Sequence, residues 1–306
     1  MSGYLNGLLA LLCIDVMFAY GVFLPVMTGQ INLGGAGFQA LGGYVAAWLA
    51  TTYDCPPWMT LPLGALAGAV AGLAIALPLA RVRGVYLVLA TIAFGQLVTG
   101  LILASPSLGG AQGIAVPSFV GLPVILPLTL LVIVACFYLC ATRLGLAMRA
   151  VHDDEAVADL MGVSARAMQV VSYTLGGAIV GLSGALYAHQ FGFVQAQGFD
   201  ETLSVYVLLY VLLGGVQTAW GPMAGTCCFV LIPELLRNVL PGLAGMVAAI
   251  FGLPIGEVKI DDSWRLVILG AFTVAMMIWR PQGIVTRTLI EHLARPLGVF
   301  AKRRAA

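Results

Sequence analysis

The sequence predicts an all-α fold, a polytopic transmembrane helical bundle of about nine spans (eight to ten) with one short cytoplasmic helix in mid-chain. Three observations predict it. Of 306 residues, 61% are hydrophobic and 9% charged, against about 25% charged in a soluble domain. Charge-free runs cover residues 16–53, 55–80, 84–142, 167–199, 202–233 and 238–256. A helix needs roughly 20 apolar residues to cross about 30 Å of hydrocarbon, so these runs hold about nine crossings. They lack the alternation of barrel strands and are too long for them.

In order, the spans are expected near residues 5–27, 34–52, 59–80, 85–104, 119–140, 168–189, 203–219, 222–240 and 264–280, as one membrane domain over residues 1–306. The first carries no basic leader and no evident cleavage site, so it is read as a retained span. Cys55-Pro56-Pro57 makes a short turn after the second, and a Gly/Ser/Pro-rich external loop covers residues 105–118. A second external segment, Pro241 to Asp262, is apolar from Gly245 to Pro254 and fits a re-entrant loop. Gly64, Gly68 and Gly72 form a small-residue stripe on the third span, and Gly221 and Gly225 repeat its spacing. Such stripes let membrane helices approach closely.

Charge sets the orientation. Arg81, Arg83, Arg143, Arg149, Arg166, Arg280, Arg287, Arg295, Lys302, Arg303 and Arg304 fall on one side of a nine-span arrangement. Asp54, Asp200, Glu201, Glu257, Asp261 and Asp262 fall on the other, with Arg237, Lys259 and Arg265. The positive-inside rule makes the first side cytoplasmic, including the basic tail at about residues 281–306, and leaves the N-terminus external.

The cytoplasmic segment at about residues 143–167, RLGLAMRAVHDDEAVADLMGVSARA, is the longest polar stretch of the chain. Leu146, Ala150, Val157, Leu160 and Met161 recur at helical spacing as one apolar face, opposite His152, Glu155 and Asp159. Gly162 is placed to stop this helix in the left-handed conformation. Ser164 is placed to cap the span that follows. The polar face is acidic, where a helix resting on lipid would be rich in Lys and Arg, so it suits protein docking.

Two further segments interrupt apolar runs. GQINLGGAGFQALGGY places Gln30, Asn32 and Gly34 at a junction that can unwind only if it faces protein or a water-filled cavity. LGGVQTAWGPMAG contains Gly214, Gly215, Gly221 and Pro222. Broken helices of this kind line transporter pathways, though plain turns between helices compete equally. Asp15 is costly at a helix centre and is expected to face other helices or water. Gln96 and His189 are read as satisfied core groups, and Glu234 and Arg237 as a pair near a span end. The six cysteines show no metal or disulfide spacing. There is no G-x-x-x-x-G-K-[ST] loop to hold ATP, no H-E-x-x-H or G-x-S-x-G, and no basic stripe with aromatics for nucleic acid. No cofactor and no enzymatic activity are expected of the chain itself.

These motifs resemble one family. GQINLGGAGFQALGGYVAA, RVRGVYLVLATIAFGQ (Arg81 to Gln96), SLGGAQGI (Ser107 to Ile114), the mid-chain RLGLAMRAVHDDEAVADLMGVS, GLSGALYAHQFGF (Gly181 to Phe193), LLGGVQTAWGPMAG and WRPQGI (Trp279 to Ile284) follow one another as in the inner-membrane permease subunits of branched-chain amino acid ABC importers. The M-type of the two permease subunits is the nearer resemblance, and it covers about residues 20 to 285. It implies a multi-pass bacterial inner-membrane subunit, paired with a sister permease, two cytoplasmic ABC ATPase subunits and a periplasmic solute-binding protein. It makes the mid-chain island the coupling helix, a role that falls on Arg149, Asp153, Asp154, Glu155, Ala158 and Gly162. A pathway lined by Gln30, Asn32, Gly34, Gly214, Gly215, Gly221 and Pro222 is the matching expectation. The chain departs from the family pattern at Gly35, at Ser107 and at His152-Asp153-Asp154, which leaves the solute open between branched-chain amino acids and small polar relatives such as urea and amides. The competing expectations are an ion-coupled secondary transporter working without ATPases and a membrane enzyme acting on lipid, for which no catalytic group is visible.

Overall fold

The computed structural model describes residues 2–232 and, beyond them, residues 234, 270–271, 273–275, 278–279 and 283–285. Ten helices are described: α1 (Ser2–Val26), α2 (Gly35–Thr52), α3 (Pro57–Leu79), α4 (Val85–Ala104), α5 (Leu122–Ala141), α6 (Arg143–Asp153), α7 (Glu155–Leu160), α8 (Ala165–Phe191), α9 (Glu201–Gly214) and α10 (Gly221–Ile232). The chain is an all-α membrane protein. Among the described residues, α1, α3, α4, α5 and α8 are long and apolar enough to cross a bilayer. The first six expected spans coincide with α1 to α5 and α8 within three residues at each end.

The expected seventh span, 203–219, needs correction. Helix α9 stops at Gly214, because Gly215 takes a φ of +110° that no ordinary helical residue adopts. The chain turns through residues 215–220 and resumes as α10, with Pro222 near its start, where a missing N–H costs nothing. The expected span at 222–240 is described only in its first part and that at 264–280 only in fragments. The Pro241–Asp262 segment and most of the 281–306 tail lie outside the described residues.

Contacts divide the chain into two compact units, Met1–Val211 and Leu212–Ala306. In the first, α8 is the central helix, packed by α1, α2 and α3. The packing is made by glycine. Along α3, Gly64, Gly68 and Gly72 meet Ala185, Gly181, Gly177 and Tyr173 of α8, running antiparallel. A Cβ added at Gly68 would lie 2.9 Å from the Gly181 Cα, and one at Gly72 would lie 3.2 Å from the Thr174 Cα. On other faces of α8, Gly176 meets the Gly21 backbone and Gly184 the backbone of Gln39 and Gly43. Lipid tails are as apolar as leucine, so membrane helices associate through close contact of this kind rather than by escaping water. The glycine stripe read from the sequence is this seam.

The far end of α8 is fastened by His189, which is fully buried. Its Nε2 lies 2.6 Å from the Thr60 hydroxyl of α3 and its Nδ1 2.9 Å from the Ser118 hydroxyl. Beside it, β1 (Ile114–Ala115) pairs antiparallel with β2 (Phe193–Val194), tying the 105–118 loop to the chain after α8. The expectation for His189 as a satisfied core group holds.

In the second unit, the glycine-rich turn folds against the segment after the last expected span. Ile284 N donates to Leu213 O at 2.8 Å, Val285 N to Gly214 O at 3.0 Å, and the Thr218 hydroxyl to Val285 O at 3.1 Å. Gly283, at φ +86°, leaves no room for a Cβ against Gly215. Two motifs seventy residues apart, LLGGVQTAWGPMAG and WRPQGI, therefore build one another's backbone contacts.

Candidate functional site

The mid-chain polar segment folds as two helices with a corner between them. Asp154 is extended, at φ −158°, so α6 ends there. Its Oδ1 accepts from Ala156 N at 2.9 Å and Val157 N at 3.1 Å, which caps α7. Helix α7 ends after six residues, and Gly162 follows at φ +81° with nothing within 4 Å of where a Cβ would stand, so only its backbone conformation requires glycine. Ser164 caps α8, its hydroxyl accepting from Ala167 N at 3.4 Å. Asp159 Oδ1 adds a bond from Ala165 N at 3.1 Å, a cap the sequence reading missed.

The break at Asp154 resets the rotation of α7 relative to α6, so the apolar face expected from one continuous helix is not the inward one. Gly145, Met148, Val151 and Ala158 are buried instead. Leu146, Ala150 and Val157 point outward, and Leu160 and Met161 are 86% and 80% exposed. Asp153 and Asp154 are exposed beside them, and Arg149 is half-buried.

Glu155 points back into the chain. Its Oε2 lies 2.5 Å from Arg83 Nη2, in the α3–α4 connection, and its Oε1 accepts from Gln169 Nε2 of α8 at 2.9 Å. This contact puts Arg83 and the mid-chain helices at the same end of the bundle, in keeping with the sidedness read from charge. The same end holds the turn after α1, where Gly29, at φ +80°, lies against His152. Thr28 and Ser172 hydroxyls lie 3.4 Å apart there.

The GQINLGG segment is an unwound connection between α1 and α2. Its backbone is satisfied from outside: Leu33 N donates to the Thr91 hydroxyl of α4 at 3.1 Å, and Ala36 N to the Ser204 hydroxyl of α9 at 2.8 Å. Asn32 Oδ1 accepts from Gly34 N at 2.8 Å. Free N–H groups at a helix start need such partners when water is absent. Gln30 and Asn32 are both buried. Beside them opens a small pocket, bounded by Leu33, Ala36, Gln96, Asp200, Glu201 and Ser204 among others. Its wall uses Leu33 and Ala36 rather than Gln30 or Asn32. Gln96 is not a core group: it is exposed, and its amide donates to Glu201 Oε2. Gly214, Gly215, Gly221 and Pro222 belong to the second unit, where Gly214, Gly215 and Gly221 pack backbone to backbone.

The profile of a family described as "Branched-chain amino acid transport system / permease component" matches residues 4–277. The chain belongs to this family. Relatives of this permease family include the high-affinity branched-chain amino acid transport system permease protein LivM of Escherichia coli, 29% identical over 298 residues, covering 86% of this chain and 65% of that one. The probable branched-chain amino acid transport permease protein LivH of Methanocaldococcus jannaschii is 23% identical, over 78% of this chain and 81% of its own length. The ribose import permease protein RbsC of Escherichia coli is 27% identical over 74% of each. The chain thus spans about 65% of the length of the LivM relatives it matches. No solved structure matches it.

Residues that sequence reasoning missed in these permease features are Arg83, Thr91, Gln169 and Ser204. Each acts on a partner 14 to 168 positions away. A single sequence carries no signal for such pairs.

Proposed function

We propose that this chain is the transmembrane permease subunit of an ATP-driven importer of branched-chain amino acids or related small polar solutes. It would cross the bacterial inner membrane about nine times and work with a sister permease, two cytoplasmic ABC ATPase subunits and a periplasmic solute-binding protein. The α6–α7 corner is the coupling element. The observation that carries this reading is the corner's two-sided construction: Leu160 and Met161 stand free in solvent while Ala158 is buried and Glu155 bonds α8. Two adjacent large apolar side chains, almost fully exposed at the tip of a six-residue helix, suit insertion into a groove of another protein. ATP-driven closure of the ATPases would push the corner, and the packed helices would rock as rigid units between outward and inward access. Arg149, Asp153, Asp154 and Gly162 shape that docking surface. Gln30, Asn32 and Gly34 in the first unit are candidates for the route of the solute, and so, separately, are Gly214, Gly215, Gly221 and Pro222 in the second.

The ion-coupled alternative gains nothing from the family, whose relatives bear the names of permease components. The ribose permease among them means that the family fold alone does not choose the solute. Reconstitution tests the proposal. The chain, co-purified with its sister permease and ATPases and placed in liposomes with the binding protein, should import solute only when ATP is supplied. Uptake by the isolated chain, driven by an ion gradient, would overturn it.

A further inference from the structure

Glu201 was expected outside the membrane, yet its carboxylate accepts from Gln96 of α4. Gln96 is the twelfth residue of α4, about 12 Å along the helix from Ala104 and about 17 Å from Val85 at about 1.5 Å per residue. Glu201 therefore lies well inside the depth that α4 spans. Both Glu201 and its neighbour Asp200 are exposed on the chain. A charged side chain is costly within hydrocarbon, so such groups face water or a partner charge. The surroundings fit the first. The start of α9 meets the start of α2 here, through Ser204 and Ala36, and the pocket lies beside these two helix starts. Asp200 also accepts from Leu203 N at 3.1 Å, which fixes its carboxylate at the start of α9.

We propose that Gln96, Asp200, Glu201 and Ser204 form an intramembrane station on the translocation path, where Glu201, oriented by Gln96 and seconded by Asp200, receives the ammonium group of the passing solute. This rests on the importer reading and narrows it: an ammonium-bearing solute has a partner at mid-depth, whereas a sugar or urea would leave the carboxylates uncompensated. Recognition is by one charged group, in keeping with the small size of the pocket, and selectivity for the rest of the solute lies elsewhere.

The test uses the complete assembly in liposomes. Glu201 of the unaltered chain should be labelled by a water-soluble carbodiimide with glycine ethyl ester, read by peptide mass spectrometry. Saturating leucine should suppress that labelling at least fivefold, and its deaminated analogue 4-methylpentanoate should not. In parallel, Glu201→Gln should cut leucine uptake at least tenfold while still co-purifying with the ATPase, and Glu201→Asp should restore most of it. No labelling of Glu201 would mean that lipid or the sister chain covers it, and would overturn the station. Labelling that leucine does not suppress, or full uptake by Glu201→Gln, would overturn the ammonium contact. An unaltered assembly that takes up solute without ATP would instead refute the importer reading, whatever Glu201 does.

Discussion

Glu155 and Gln169 meet at 2.9 Å across the corner between α7 and α8, and Arg83 closes on the other oxygen of the same carboxylate at 2.5 Å. Three separate segments, the α3–α4 connection, α7 and α8, are thereby tied at one group. Arg83 is 78% exposed, and exposed ion pairs contribute about 0–1 kcal/mol. Glu155→Ala also leaves the buried Gln169 amide without its acceptor, at a cost of about 1–3 kcal/mol, so it should lower the unfolding temperature of the solubilised chain modestly. It should lower solute imported per ATP hydrolysed, because the corner loses its bond to α8. An unaltered import-to-hydrolysis ratio would rule out that transmission.

Leu160 and Met161 are expected to carry the docking. Replacing both with Asp removes nothing from the interior, since both side chains stand in solvent, and surface substitutions of this kind usually fall within about 0.5 kcal/mol. The variant should fold and insert as before and lose recovery of the ATPase in pull-down by at least tenfold. Undiminished recovery would move the docking surface elsewhere.

Gly162 has open space around it but a left-handed backbone. Gly162→Ala should cost about 1–2 kcal/mol, the penalty of that conformation for an ordinary L-residue, and Gly162→Asn distinctly less. The check is the melting temperature of the detergent-solubilised chain. Equal effects of Ala and Asn would show that something other than backbone strain is at work.

The glycine seam should tolerate no enlargement. In Gly68→Leu the new side chain would meet the Gly177 and Gly181 backbone, which has no rotamer to yield. Overpacking typically costs about 1–3 kcal/mol, and more where backbone blocks relief. Loss of the folded, protease-resistant chain is expected, whereas Gly100→Leu, on α4 with nothing within 4 Å, should be accepted.

Much of this fold was legible because membrane crossing imposes length and apolarity on each helix separately. Gly162 and Ser164 were readable for the same reason: a stop and a cap are decided within a few residues. The α6–α7 face was misread because periodicity assumes one axis, and Asp154 bends the chain in the middle of the pattern. Glu201 was read only as one of two adjacent acidic residues on the external side, because its partner lies on a distant helix. The bond to Gln96, 105 positions earlier, and that from the Thr99 hydroxyl to Phe199 O at 3.4 Å tie the chain before α9 to the side of α4.

Where α3 lies on α8 at Gly68 and Gly72, carbonyls and Cα atoms touch with no side chains between them. Rotamers are what let ordinary interfaces absorb a displacement of an ångström or so, and this seam has none to spend. A shove delivered at the Gln169 end of α8 therefore arrives at His189 with little lost to slack, carrying α3 along like a toothed rack.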